Sequence, residues 1–114
     1  MQTETPILQA IRLDLGGRDG VRIFRNNVGR IADRAGRWHV FGLCPGSSDL
    51  IGWKRITVTP GDVGRELAAF VAIEVKTPRG VRSPAQSIFI DAVRNDGGFA
   101  GFATSVSDAL RIIA

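Results

Sequence analysis

The stretch FVAIEVKTP, residues 70–78, decides the fold of this 114-residue chain. Its β-branched and apolar residues predict a buried strand, which Pro78 ends. Because side chains alternate between the faces of a strand, Glu74 and Lys76 share one face, roughly 6–7 Å apart along the backbone. The opposite face carries Val71, Ile73 and Val75. Burying charges at the end of a core strand costs free energy unless the charges are paired or bind something. Glu74 and Lys76 therefore form either a structural ion pair or part of a functional site.

A second carboxylate lies at the start of another apolar segment. The stretch GSSDLIG, residues 46–52, is typical of a turn followed by a strand, with Asp49 at the junction. Two carboxylates on neighbouring strands would share a hard cation such as Mg²⁺, which prefers oxygen ligands. Lys76, two residues beyond Glu74, would then lie beside that ion.

The pattern of Asp49, followed later by Glu74, one intervening residue and Lys76, resembles the signature of the PD-(D/E)XK nuclease superfamily. The wider order of short segments is similar to one of its families, the VRR-NUC or virus-type replication-repair nucleases. These segments are RNNVG at 25–29, GRW at 36–38, GSSDL at 46–50, IEVKTP at 73–78 and Gln86. The resemblance runs from about Glu4 to Ala103, nearly the whole chain, although Ser48 stands where the superfamily's name has a proline.

The resemblance implies a metal site. Asp49, Glu74 and the backbone carbonyl of Val75 would hold Mg²⁺ or Mn²⁺, and an N-terminal helix would bring a glutamate close to the metal. Glu4 is the candidate for that glutamate, because it lies one helical step before the apolar Leu8. The alternative for Glu4 is a carboxylate at a helix start, where the helix dipole favours it.

Two further residues acquire catalytic roles from the resemblance. Lys76 would position the attacking water or stabilise the transition state. Gln86 would sit beside that lysine and orient either the lysine or the water. The alternative for Gln86 is an amide on the surface of a helix.

A cluster of arginines indicates contact with nucleic acid. It consists of Arg22, Arg25, Arg30, Arg34 and Arg37. The planar guanidinium suits phosphate, and a solvated basic face is the alternative. Candidate nucleic-acid contacts are Arg25, Asn26, Asn27 and Arg37, together with Ser47 and Ser48, which either shape their loop or contact phosphate.

Composition bounds the possible classes of protein. The length predicts one domain, residues 1–114, and a net charge of +4 with 44% hydrophobic residues fits a globular protein. The single Cys44 forms no internal disulfide, and the single His39 excludes a histidine-rich zinc site. No apolar run approaches the length of a membrane span, and the N-terminus does not resemble a signal peptide. We therefore expect a cytoplasmic protein that does not bind a membrane and uses no small-molecule cofactor.

The order of elements predicts a mixed α/β fold, with a central mixed sheet flanked by helices. The expected elements are a helix from about Thr3 to Leu15, a strand at Val21–Asn27, a hairpin at Gly29–Phe41 with its turn near Asp33–Gly36, a strand from Asp49 to about Val58, a strand at 70–76, a helix at 84–96, a strand at 99–103 and a final helix after Ser105. Strands 70–76 and 99–103 should be parallel, joined by a right-handed crossover.

Helical spacing also predicts which apolar side chains are buried. In the first helix these are Ile7, Leu8, Ile11 and Leu15, and in the second they are Ala85, Ile88, Phe89, Ala92 and Val93.

The resemblance predicts a metal-dependent DNA endonuclease, encoded by a phage or prophage. Within that family, stand-alone members resemble dimeric nucleases that cut four-way junctions, so we expect a homodimer acting on branched DNA. Two alternatives stay open: a catalytically silent module of the same fold that binds nucleic acid or an assembly, and an unrelated small basic structural protein.

Overall fold

A computed structural model describes the backbone of residues 4–114 and the side chains of residues 5–114. Within that range the chain is mixed α/β, with three helices and six strands. They are α1 (Glu4–Gly16), β1 (Val21–Arg25), β2 (Gly29–Ala32), β3 (Trp38–Phe41), β4 (Leu50–Lys54), β5 (Val71–Val75), α2 (Pro84–Asn95), β6 (Phe99–Ala103) and α3 (Val106–Ile112), with a 3₁₀ turn at Pro60–Asp62. The chain divides into two compact units, with the boundary between Lys54 and Arg55. That they act as one domain stays a prediction.

The first unit is organised around the antiparallel pair β1–β4, on which α1 packs. Gly52 faces Ile23 in this pair, and a Cβ at Gly52 would lie 1.7 Å from the carbonyl oxygen of Arg22. Only glycine permits so close an approach of two backbones. Trp53 is partly buried, and the centroid of its ring lies 5.6 Å from that of Phe24.

The predicted hairpin is confirmed as the antiparallel pair β2–β3, which runs from Gly29 opposite Phe41 to Ala32 opposite Trp38. Asp33 forms the turn, because its carboxylate accepts the backbone N–H groups of Ala35 and Arg37, both at 2.9 Å. Gly36 has a positive φ of 80°, a conformation that favours glycine at this position.

The second unit is built on the parallel pair β5–β6, as the sequence predicts for a βαβ segment. Helices α2 and α3 both pack on β6. The buried apolar residues of this unit are Ile90, Val93, Ala100 and Ala103. Local signals set the ends of α2: Ser83 caps its N-terminus ahead of Pro84, and Gly97, with a φ of 96°, follows its end.

The expected central mixed sheet is not what the described residues form. Their ladders join the strands into three separate two-stranded pairs, β1–β4, β2–β3 and β5–β6. The strand predicted from Asp49 to Val58 ends at Lys54, and that from Val21 ends at Arg25. Residues 55–58 are rich in β-branched side chains, but such a preference forms a strand only where a partner supplies ladder hydrogen bonds.

Several apolar faces were assigned wrongly from periodicity. In α1, Leu8 is buried but Ile7 and Ile11 are exposed, and in α2, Ile88 is 68% exposed. Val93 is buried, as predicted, and the face of α2 that packs on the sheet runs from Val93 through Ile90 to Gln86, at steps of three and four residues.

The two valines at the ends of β5, predicted to be buried, are also exposed. Val71 is 49% exposed and Val75 is 75% exposed. Ladder bonds join β5 to β6 on one edge, and burial of a strand face depends on elements that pack over it, which an alternating pattern does not specify.

None of the helices in the described part of the chain is long and apolar enough to cross a membrane.

Candidate active site

Three polar side chains meet beyond the middle of β5. Glu74 Oε2 accepts a hydrogen bond of 3.0 Å from Gln86 Nε2, and it lies 3.9 Å from Lys76 Nζ. Glu74 and Lys76 reach the same side because the ladder continues past β5, where the Lys76 N–H donates to the Ala103 carbonyl at 2.9 Å. Their side chains are 36% and 21% exposed, respectively, so the ion pair is open to solvent on one side.

Gln86 is held in place by the start of α2. Its backbone N–H donates to Ser83 Oγ at 3.1 Å, and its Oε1 accepts the Ser83 N–H at 3.0 Å. This reciprocal pair is a capping box. Because the amide oxygen is used by the cap, the amide NH₂ is the group that turns toward Glu74. The sequence predicted Gln86 beside the lysine, whereas its hydrogen bond is to the glutamate.

Glu74 and Gln86 line a cavity of about 360 Å³ whose remaining walls are apolar. The other lining residues are Ala72, Ile73, Ala85, Phe89 and Ile90. A mostly apolar recess with a few polar groups is the usual form of a binding site. The second unit therefore has a carboxylate and an amide at one recess, and the Lys76 ammonium lies beside that carboxylate.

Asp49 belongs to the first unit, where it is exposed immediately before β4. Its backbone position is set by Asn26, whose N–H donates to the Asp49 carbonyl at 2.8 Å. The Asn26 side chain holds the preceding loop: Nδ2 donates to Ser47 Oγ at 2.7 Å and to the Ser48 carbonyl at 2.9 Å, and Oδ1 accepts the Leu43 N–H at 2.9 Å. Asn26 is thus a candidate for positioning Asp49.

Ser47 completes the same loop. Its hydroxyl donates to the Cys44 carbonyl at 2.7 Å, and its N–H donates to that carbonyl at 3.0 Å. The Asn26 and Ser47 side chains are therefore both engaged within the unit, which supports the loop-shaping role for Ser47. The sequence predicts Asn26 only as a nucleic-acid contact. Its position directly after β1 is the one sequence feature that points to a structural role, since an asparagine at the end of a strand can hydrogen-bond a neighbouring loop.

The other candidate nucleic-acid contacts are exposed. Arg25 Nε donates to Asn27 Oδ1 at 2.8 Å, so these two neighbours restrict each other. Arg37 Nε lies 3.3 Å from Asp33 Oδ2, and Ser48 is exposed beside Asp49. Their use in binding DNA stays a prediction.

Asp49 in the first unit and Glu74 in the second each offer carboxylate oxygens, the kind of donor that a hard cation prefers. Within residues 5–114, no cluster of three or more His, Cys, Asp or Glu side chains capable of holding a metal ion is present. The side chain of Glu4 lies outside the described residues, so its predicted place near a metal stays a prediction. Val75, the expected carbonyl ligand, follows Glu74 directly at the exposed end of β5.

Comparison with known proteins identifies the family. The family model described as the VRR-NUC domain matches residues 20–107, from just before β1 into α3. The matched range includes Asp49, Glu74, Lys76 and Gln86 and excludes Glu4. No curated protein and no solved structure matches the chain. Because the match covers well over half of the sequence, this chain belongs to the VRR-NUC domain family of nucleases.

Proposed function

We propose that this chain is a metal-dependent DNA endonuclease with a PD-(D/E)XK-type site made by Asp49, Glu74, Lys76 and Gln86. The observation that carries the proposal is the arrangement around Glu74: the Gln86 amide donates to its carboxylate at 3.0 Å, and the Lys76 ammonium lies 3.9 Å away. A carboxylate held by an amide, with a cation beside it at an open recess, suits the hydrolysis of an anionic phosphodiester.

Both contacts to Glu74 fall on Oε2. Among the residues that the structure describes, Oε1 is therefore the oxygen left available to a cation. Gln86 restrains the carboxylate by donating to Oε2, and the orientation of Gln86 is itself set by the cap of α2. Such support from a second residue keeps a ligand oriented before it binds its ion.

Hydrolysis of a phosphodiester requires an activated water and positive charge near the oxygens on which charge builds up. We propose that Lys76 supplies part of that charge or positions the attacking water. Asp49, Glu74, the carbonyl of Val75 and Glu4 would hold Mg²⁺ or Mn²⁺. When bound, the metal would lower the pKa of its water and neutralise the phosphoryl oxygen.

We further propose that the substrate is branched DNA, such as a four-way junction of a phage or prophage, and that the active form is a homodimer. Large apolar side chains are exposed in both units, among them Leu13 at 79% and Ile88 at 68%. Exposed apolar surface favours association, and a two-fold symmetric dimer would bring two sites to two opposing strands of a junction. Light scattering tests the dimer, and a monomeric mass would contradict it.

The test of the function is cleavage of branched and linear DNA in Mg²⁺, Mn²⁺ or EDTA. Glu74→Gln should lower the rate by about 10²–10³, because the variant loses one preorganised charged group. Glu66→Gln, an equal change at an exposed glutamate in the same unit, serves as the matched control. Wild-type cutting by Glu74→Gln would remove this site from the mechanism, and DNA binding without metal-dependent cutting would favour the catalytically silent module.

A further inference from the structure

The β2–β3 hairpin is an exposed ribbon. Within the described chain its two strands form a ladder only with each other, and every residue of β3 is exposed. Ile31, Trp38 and Val40 are 63%, 61% and 65% exposed, respectively. Side chains of this size do little for the core when they remain so exposed, which points to a contact surface.

One face of the ribbon combines an arginine with an aromatic ring. The register places Arg30 opposite Val40 and Ala32 opposite Trp38, so these four side chains share a face. Arg30 Cζ lies over the Trp38 ring, 4.6 Å from its centroid, in a cation–π contact. In the part of the chain described, no carboxylate forms an ion pair with Arg30, so its charge remains available to a ligand.

The ribbon is positively charged. Residues 29–41 contain Arg30, Arg34, Arg37 and His39, with Asp33 as their only acid. Asp33 is already engaged: its Oδ2 lies 2.8 Å from His39 Nε2 and 3.3 Å from Arg37 Nε. Arg34 is exposed in the turn that closes the hairpin. Among these three arginines, Arg30 on the face of the ribbon and Arg34 at its tip have no carboxylate partner within the described residues.

The ligand that these features fit is duplex DNA. The major groove, about 12 Å wide, admits a two-stranded β-ribbon, and its walls are lined with phosphates that arginine binds well. We infer that the β2–β3 hairpin enters the major groove of a duplex arm, with the Arg30–Trp38 pair on its contact face and Arg34 at its tip on a phosphate. The choice of ligand rests on the proposed function, but the contact itself requires neither metal nor cleavage.

The chain allows a direct optical test, because it has two tryptophans and no tyrosine. Trp53→Phe leaves Trp38 as the only tryptophan, and its emission is followed while duplex DNA is added in EDTA. We expect the emission of Trp38 to change in step with binding measured by fluorescence anisotropy of labelled DNA. Trp38→Ala in the wild-type chain should weaken binding about fivefold or more, the loss typical of a buried aromatic anchor, whereas Trp38→Phe should retain most of it.

The salt dependence tests the arginines. Arg30→Gln and Arg34→Gln should each reduce the slope of log K against log salt by about 0.9 if each residue contacts one phosphate. Arg12→Gln on α1, an equal change of charge at another exposed arginine of the same unit, should leave the slope nearly unchanged.

Three outcomes overturn the inference. The first is DNA binding that leaves the emission of Trp38 unchanged, and the second is the absence of any DNA binding in EDTA. The third is an emission that changes with protein concentration and not with DNA, which would make the face a contact between two copies of the chain. Failure of the proposed function is distinct, because it would leave Trp38-dependent DNA binding intact while cleavage is absent.

Discussion

Gln86 provides the sharpest test of the site, because the NH₂ of its side-chain amide can be removed while the oxygen is kept. Its oxygen accepts the Ser83 N–H of the helix cap, and its NH₂ donates to Glu74. Gln86→Glu keeps an oxygen for the cap, as glutamate does in many capping boxes, but it places a carboxylate against Glu74. Gln86→Ala removes both groups.

The expected losses follow from the contacts. A hydrogen bond to a charged group contributes about 1.5–3 kcal/mol, and two carboxylates about 4 Å apart repel by about 1–4 kcal/mol, from water to a protein surface. Because the Glu74 side chain is 36% exposed, water screens both terms. We expect Gln86→Glu to lower the free energy of unfolding by about 1–2 kcal/mol at neutral pH, and Gln86→Ala to lower it by a similar amount.

The pH dependence separates the two variants. Urea denaturation is measured in EDTA at neutral pH and near the ordinary carboxyl range of about pH 4–4.5. The deficit of Gln86→Glu relative to the wild type should shrink at the lower pH, because protonation of the introduced glutamate removes the repulsion. The deficit of Gln86→Ala should persist. Gln9→Glu on the exposed surface of α1 is the control for adding a carboxylate elsewhere.

The cleavage assay provides a second measurement. A residue that orients a metal ligand typically contributes about 10–100-fold in affinity or activity, and we expect both Gln86 variants to fall in that range. If Gln86→Glu has no stability deficit at neutral pH, or a deficit that does not change with pH, then the Gln86 amide does not donate to Glu74 in solution and the reasoning fails.

Three further predictions concern the loop, the metal and the hairpin. Asn26→Ala, which removes three hydrogen bonds, should lower the free energy of unfolding by about 1–3 kcal/mol in urea denaturation, and a loss no larger than that of the exposed Asn27→Ala would contradict the positioning role. Mn²⁺ should raise the melting temperature of the wild type more than that of Glu74→Gln, since an ion that binds only the folded state stabilises it; equal shifts would count against the site. The hydrogen bond from His39, followed by that from the N–H of Arg37, lowers the pKa of Asp33. The stabilisation from Asp33 is therefore present above the unfolded pKa of about 3.9 and is lost as the pH falls through the lower folded value. The emission of Trp38 in the Trp53→Phe chain, followed between about pH 6 and 2, measures this loss, and adding Asp33→Asn should remove the transition.

The sequence alone determined features that depend on neighbours along the chain. It predicted the start of a helix at residue 84, the turn near Asp33, and the common side of Glu74 and Lys76, and all three are present. These features follow from local rules, namely the hydrogen bonds of a short polar side chain and the alternation of a strand. The ordered motifs also identified the family, and the match over residues 20–107 confirms it.

Only the tertiary structure decided which distant groups meet. In the folded chain the Gln86 amide donates to Glu74 rather than to the lysine. Asn26 hydrogen-bonds the loop before Asp49, and the strands of the described residues form three separate pairs. The tertiary structure also left Val75 exposed where alternation predicted burial. Periodicity assigns a side chain to a face, but pairing and burial depend on segments that are distant in sequence, and each is set by whichever donor, acceptor or apolar surface the folded chain brings near.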